Sequence, residues 1–560
     1  MKMISKIAGA ALALTVVGHT ASAQSLADAK KAIDAEQYQK AKSILKNLVN
    51  TQSTKDENFF YLGWVYVEQD YADSAKAVFN RGIAANPASA LNYVGLGAVA
   101  RLAKDNSGAQ QNFDKAIGLA KKDSKPYIYI GESYLLDPAN ANAAIAALQK
   151  GIAANAKDAD LYVSLGNAYR SQLKSNDAYK AYSQALAIDP KSAKANVATG
   201  VLWKYANNFE DAETQFKAAL ATDANFGPAY REWAETDLRW AKNVPAQASA
   251  KVKEAAEHYR QFLDLTDRSP ESQLRYADFL YQAGDYKTLE QTANTLSANP
   301  NANLRTYRYL AYAKYENGDY AGAQTALNTF MSKAGTRVIP YDYYYLGRIQ
   351  SKQNQTAEAV KNLEKAASMD STLADAYGDV AKTYYADKQY EKAGDAYHNY
   401  LTKSHNAKLT DYFNEGASYY YAYQDQYYST AKPKPTPDAT LLTKADSAFS
   451  YVNAKLPAPN AAATLYRARV NDLKETSRDN INGYAKPFYE QYIQLTTAKG
   501  AVADADKKPL AEAYAYLGNY YQFKEKDAAK ATENFTKARE LDPTNRSVQS
   551  FFSKKPAAGK

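Results

Sequence analysis

Residues Ala159–Pro190 read ADLYVSLGNAYRSQLKSNDAYKAYSQALAIDP, two apolar patterns of helical period joined by a short polar turn. Tyr162, Leu165, Gly166 and Tyr169 fall at i, i+3, i+4 and i+7, one face of a first helix. Ala178, Tyr182, Ala185 and Leu186 repeat that kind of spacing for a second. Asp189-Pro190 ends it, because proline lacks the amide donor and disfavours helix in the residue before it. The small residues Gly166 and Ala178 predict a close approach of the two backbones. A larger residue at either should overpack the contact by about 1–3 kcal/mol.

The same unit recurs along the chain. Taking Leu165-Gly166 as the marker, its equivalents are Leu62-Gly63, Leu96-Gly97, Ile130-Gly131, Thr199-Gly200 and Trp233-Ala234, at steps of 34 or 35 residues. Tyr276-Ala277, Leu310-Ala311, Leu346-Gly347, Val380-Ala381 and Leu517-Gly518 continue the series. Second-helix residues keep step, as in Ala75/Phe79, Ala109/Phe113, Ala212/Phe216 and Ala531/Phe535. Asn207-Asn208, Gly284-Asp285 and Gly318-Asp319 supply turns.

On these markers the chain resembles the tetratricopeptide-repeat (TPR) proteins over nearly all of residues 25–545. The resemblance implies an all-α TPR superhelical solenoid of about 13–14 antiparallel helix pairs, in which the first helix of each pair lines a concave groove. A single pair has too little apolar surface to stand alone, so neighbours must bury one another. Breaks in the pattern suggest a signal peptide over 1–23, an N-terminal array over 24–265 and a central array over 266–405. An irregular C-terminal array over 406–550, with a Pro-rich loop at 432–437, and a flexible tail over 551–560 complete the expectation. Extra residues around 241–250 predict a longer turn or helix, and 475–483 a longer turn.

Composition narrows the function. The chain carries 69 Lys+Arg against 60 Asp+Glu, a mild excess spread along its length that argues against nucleic acid. Without cysteine there is no disulfide, thiolate metal site, cysteine nucleophile or cysteine-linked lipid. Lys2 and Lys6 precede the apolar run Ile7–Gly18, and Ala21-Ser22-Ala23 offers small residues for cleavage before Gln24. This pattern predicts an exported, periplasmic protein, not a lipoprotein, with no transmembrane segment; association with the outer membrane would come through a partner. The signal pattern, the Tyr and Asn content and the absent cysteine are similar to envelope TPR proteins of the Bacteroidota.

No nucleotide loop, nucleophile elbow, zinc helix or calcium loop is present, so no catalytic residue, cofactor or metal is expected. The TPR groove positions, carried onto this chain, are Arg231, Glu235, Arg239, Arg308, Tyr312, Tyr315, Tyr344, Arg348, Lys352, Lys382 and Tyr385. Tyrosine rings give contact area and arginine recognises carboxylates, which suggests a cradle for a protein or peptide ligand, acidic in one version. The alternative is that a tyrosine-rich chain (49 in all) simply places tyrosine on every face. On the groove reading, Arg308→Glu with Arg348→Glu should weaken partner capture and leave helicity intact. A second aromatic concentration, Tyr412, Tyr419, Tyr420, Tyr421, Tyr423, Tyr427 and Tyr428, reads as packing beneath the loop or as a platform for a glycan or partner. The expected function is a non-enzymatic scaffold in the bacterial envelope, with a glycan-binding or outer-membrane assembly module as the alternative.

Overall fold

The computed structural model describes residues 25–553 except 476, 478, 479, 499 and 501. The expected signal peptide and residues 554–560 of the expected tail lie outside the described residues. Among the described residues every long element is an α-helix, and the helices form fourteen consecutive antiparallel pairs closed by Arg546–Ser553. The described residues are all-α, with the antiparallel helix pair as their unit. It divides into two compact units, one ending at Ala302 and one beginning at Asn303. The first holds eight pairs, from Leu26–Asp34 with Tyr38–Thr51 to Pro270–Ala283 with Tyr286–Ser297. The second holds six, from Arg305–Glu316 with Tyr320–Ala334 to Asp504–Asn519 with Ala528–Leu541. Helices pack on one another across 265/266 and 405/406 as elsewhere in each unit.

The template stretch forms Ala159–Ser171 and Ser175–Ile188. Its small marker works differently from the sequence expectation. A Cβ at Gly166 would stand 2.3 Å from Cε1 of Tyr182, so the glycine admits a ring of the second helix where a backbone had been expected. Gly63 meets Phe79, Gly97 meets Phe113 and Gly200 meets Phe216 in the same way. The Leu-Gly marker and the aromatic residue sixteen places after its glycine are one interlock, repeated.

Within many pairs the turn carries one residue in the left-handed region: Glu36, Asp70, Lys104, Leu173 and Asn207 have φ between 59° and 61°. A side chain there is strained by about 1–2 kcal/mol. Leu173 tolerates it because its side chain stands in solvent.

The irregular stretches resolve in specific ways. The extra residues around 241–250 lengthen two helices, Gly227–Asn243 and Ala248–Leu265, with a single tight turn at Pro245–Gln247 between them. Residues 432–437 are non-helical, as expected. The Glu475 carboxylate accepts the backbone N–H of Asn482, Gly483 and Tyr484 at 2.6, 2.8 and 2.8 Å. The start of the expected flexible tail needs correction. Residues 551–553 finish the last helix, because the Phe551 ring stacks on Phe535 at 4.2 Å.

Candidate functional site

The first unit folds back on its own beginning. Lys194 of the sixth pair binds Asp34 at 2.7 Å, and Asp223, in the turn after that pair, lies 3.4 Å from Lys31. Arg231 of the seventh pair is ion-paired with Glu36, 195 residues away in sequence. The backbone N–H of Gln39 donates to the Asp267 carboxylate at 3.0 Å across 228 residues. Apolar packing reinforces these pairs, since Ala35 is buried in one cluster with Val197, Val201, Phe226 and Ala229. Lys31 and Asp34 of the opening helix thus meet charges of the sixth pair and of the turn that follows it.

The closure bounds a chamber of about 550 Å³. First helices of six of the first seven pairs contribute to its wall. Tyr61, Trp64 and Tyr129 form an aromatic side, with the Trp64 and Tyr129 rings edge to face at 4.8 Å. Asp160, Val163, Asn167 and Arg170 of the template helix face the same space. Asn167 also accepts the Tyr182 hydroxyl at 2.8 Å, which ties the chamber wall to the core interlock.

The chamber's charges are unevenly matched. Lys194 and Arg231 are engaged by Asp34 and Glu36, and Lys204 takes Glu232 at 2.7 Å. Lys125 pairs with Glu57 at 2.9 Å, and Lys30 lies over the Tyr61 ring. Asp158 accepts the Ser124 hydroxyl at 2.6 Å. Among the described residues Glu132 has only the Ser164 hydroxyl as a hydrogen-bond partner, at 3.1 Å. Its side chain is half-buried on the chamber wall, where protein replaces part of its water shell. That loss of bulk water, against the weaker pull of Lys194, pushes its pKa up from 4.5 to about 8.

A stability consequence follows from the sign of this shift. Folded Glu132 keeps a proton that the unfolded chain releases above its ordinary value of 4.5, so the first unit loses stability as pH rises from about 5 to about 8. Glu132→Gln should melt with wild type at pH 5 and above it at pH 8. Equal melting differences at both pH values would contradict the assignment.

The groove positions named from the sequence fall on both units. Arg231 belongs to the chamber closure. Glu235 is held by Arg275 at 2.6 Å. Arg239 donates to Asn207 at 3.0 Å and lines a second cavity of about 530 Å³ with Tyr205, Leu238 and Arg275. In the second unit, Arg308, Tyr312, Tyr315, Tyr344 and Arg348 come together on consecutive first helices. There they serve neighbouring repeats. Arg308 donates to both carboxylate oxygens of Asp342, at 2.8 and 2.9 Å, and Tyr312 adds its hydroxyl at 2.8 Å. Tyr344 donates to Asp379 at 2.9 Å, and Arg348 lies 4.6 Å from the centre of the buried Tyr315 ring. Lys352, Lys382 and Tyr385 keep exposed side chains.

Sequence reasoning missed Asp342 and Asp379, although each stands 34 or 35 residues after the residue it binds, one repeat along. It also left Asp160, Val163, Asn167 and Arg170 out of the groove positions, although they line the chamber. Of the second tyrosine group, Tyr419, Tyr420 and Tyr423 are buried, Tyr412 stacks on Tyr451 at 4.2 Å, and Tyr427 and Tyr428 are exposed. Among the described residues no three metal-ligating side chains gather, and no helix is long and apolar enough to cross a membrane.

No protein-family model and no curated protein matches the chain. Solved structures do. The C-terminal part of a TPR repeat-containing protein from Cytophaga hutchinsonii is 28% identical, covering 50% of this chain and 98% of its own, with a TM-score of 0.38. A tetratricopeptide repeat protein from Parabacteroides merdae is 19% identical over 44% of this chain and 93% of its own, at a TM-score of 0.29. YrrB, described as a TPR protein with an unusual peptide-binding site, is 18% identical over 35% of this chain and 96% of its own, at 0.22.

Proposed function

We propose that this chain is a non-enzymatic scaffold that holds a peptide segment of another protein, and that it is exported to work in the bacterial cell envelope. The observation that supports this most is the chamber, to which six first helices each turn one face and which ion pairs from the first helix pair close. The half-buried Tyr129 offers aromatic contact area, and the charged groups of the wall offer orientation, the combination that peptide sites use. Export rests on the basic start, the apolar run Ile7–Gly18 and Ala21-Ser22-Ala23. In the second unit, Lys352, Lys382 and Tyr385 are the groove positions with exposed side chains, and we place a further contact there.

The test is capture of partner from an envelope fraction by Asp160→Lys combined with Arg170→Glu. Both side chains line the chamber, and neither forms an ion pair among the described residues. Capture should fall at least tenfold with little change in melting, as expected of half-exposed positions. Lys46→Glu, on an exposed second-helix face, should capture as wild type. Undiminished capture by the double variant would remove the chamber from the account.

A further inference from the structure

Two carboxylates on the chamber wall have no cation of their own. Glu68 follows Tyr61 and Trp64 on the helix Asp56–Glu68, and Glu132 follows Tyr129 on the helix Lys125–Leu135. The aromatic side and the two acids therefore share one part of the chamber, and the Trp64–Tyr129 contact joins their helices. Neither Glu68 nor Glu132 forms an ion pair among the described residues. The cations facing them are committed elsewhere: Lys194 to Asp34 and Arg231 to Glu36. Lys30 comes from the first helix and sits over Tyr61, and Arg170 lies on the fifth pair. The remaining facing acids, Glu36 and Asp160, add negative potential to Glu68 and Glu132 respectively.

A space bordered by the half-buried Tyr129 and by two carboxylates that lack a counter-ion suits an organic cation, because the carboxylates attract the charge and the ring packs along its aliphatic stem. We propose that the Glu68–Glu132 side of the chamber is a subsite for a lysine or arginine side chain of the bound peptide. This rests on the reading of the chamber as a peptide site, and it makes the occupant basic, where the groove arginines had suggested an acidic one. When an ammonium group enters, Glu132 gives its proton to water and pairs with it as carboxylate.

The experiment is calorimetric titration of the full chain with Nα-acetyl-L-lysine amide, with Nα-acetyl-L-norleucine amide as the uncharged control. Run at pH 7 in two buffers of different ionisation heat, the lysine probe should bind at least tenfold tighter than the norleucine probe. Its binding should release close to one proton per site, since Glu132 titrates at about 8. Glu132→Gln should abolish the proton release, and Glu68→Gln, on an exposed side chain, should weaken the lysine probe about tenfold. Equal affinity for both probes, or binding that both variants leave unchanged, would overturn the proposal. If the lysine probe does not bind while the Asp160→Lys, Arg170→Glu chain still loses its partner, the cation subsite is wrong and the peptide chamber stands. If neither effect is seen, both readings fall.

Discussion

Asp342→Ala should destabilise the start of the second unit by about 3–5 kcal/mol, the usual cost of removing one partner of a buried ion pair. Asp342 is fully buried and gathers four donors: Arg308 through two nitrogens, the Tyr312 hydroxyl and the backbone N–H of Ile339 at 2.8 Å. Deleting the carboxylate strands a guanidinium that is itself largely covered, its face 4.3 Å from the centre of the Phe330 ring. Arg308→Glu should be at least as damaging, because it sets a second carboxylate against the first. The measurement is native-state hydrogen exchange. Protection should collapse in Arg305–Glu316 and Pro340–Lys352 and persist in Asp56–Glu68 and Ala90–Leu102. A loss under about 1 kcal/mol would mean that water replaces the missing partner. The same geometry corrects the expectation that Arg308→Glu leaves helicity intact: that variant tests folding before it tests binding.

Phe79→Ala is the second large effect, about 3–5 kcal/mol from lost burial and the cavity left behind. The ring is fully buried and lies against two glycines on successive first helices. A Cβ at Gly63 or at Gly95 would come within 2.3 Å of its Cε1. One side chain thus joins the second pair to the third, and in a linear array the loss of such an interface separates the neighbours it joined. Denaturant unfolding should show an earlier transition for the first pairs, with Phe79→Leu falling between alanine and wild type. Gly63→Val attacks the same interlock from the other side and should cost about 1–3 kcal/mol by overpacking. A single unshifted transition in Phe79→Ala would contradict the interlock.

The helix pairs were legible because their signals are local and repeated. A Leu-Gly marker and an aromatic sixteen residues later lie within one pair, so the period exposes them without knowledge of the fold. The sequence pattern also marked the non-helical Lys-Pro stretch at 432–437. What it could not reach depends on partners a repeat away or more. Arg308 and Tyr344 look like free groove residues until Asp342 and Asp379 are placed opposite them one repeat later. That pairing was readable in principle by comparing the register of acids with that of cations. The Glu36–Arg231 pair had no such signal. It spans 195 residues, and it exists because successive pairs rotate until the seventh reaches the first. The chamber, which depends on that closure, was hidden for the same reason. The template face of Asp160, Val163, Asn167 and Arg170 became a binding candidate through what it faces.

The chamber depends on the first unit closing on itself, and carbodiimide cross-linking tests this in the unaltered chain. The reagent joins a lysine to a carboxylate as an amide with no spacer, so a link forms only where the two side chains can come into direct contact. Lys194 with Asp34, at 2.7 Å, and Lys31 with Asp223, at 3.4 Å, should appear as cross-linked peptides by mass spectrometry. The helix-local pair Lys217 with Glu213, at 2.5 Å, serves as the internal control. Recovery of the two long-range links from monomeric protein, with their loss in Asp34→Asn and Asp223→Asn, is the predicted result. The Lys217–Glu213 link without either of the others would mean that the first helix pair does not meet the sixth and seventh, and the chamber would not exist.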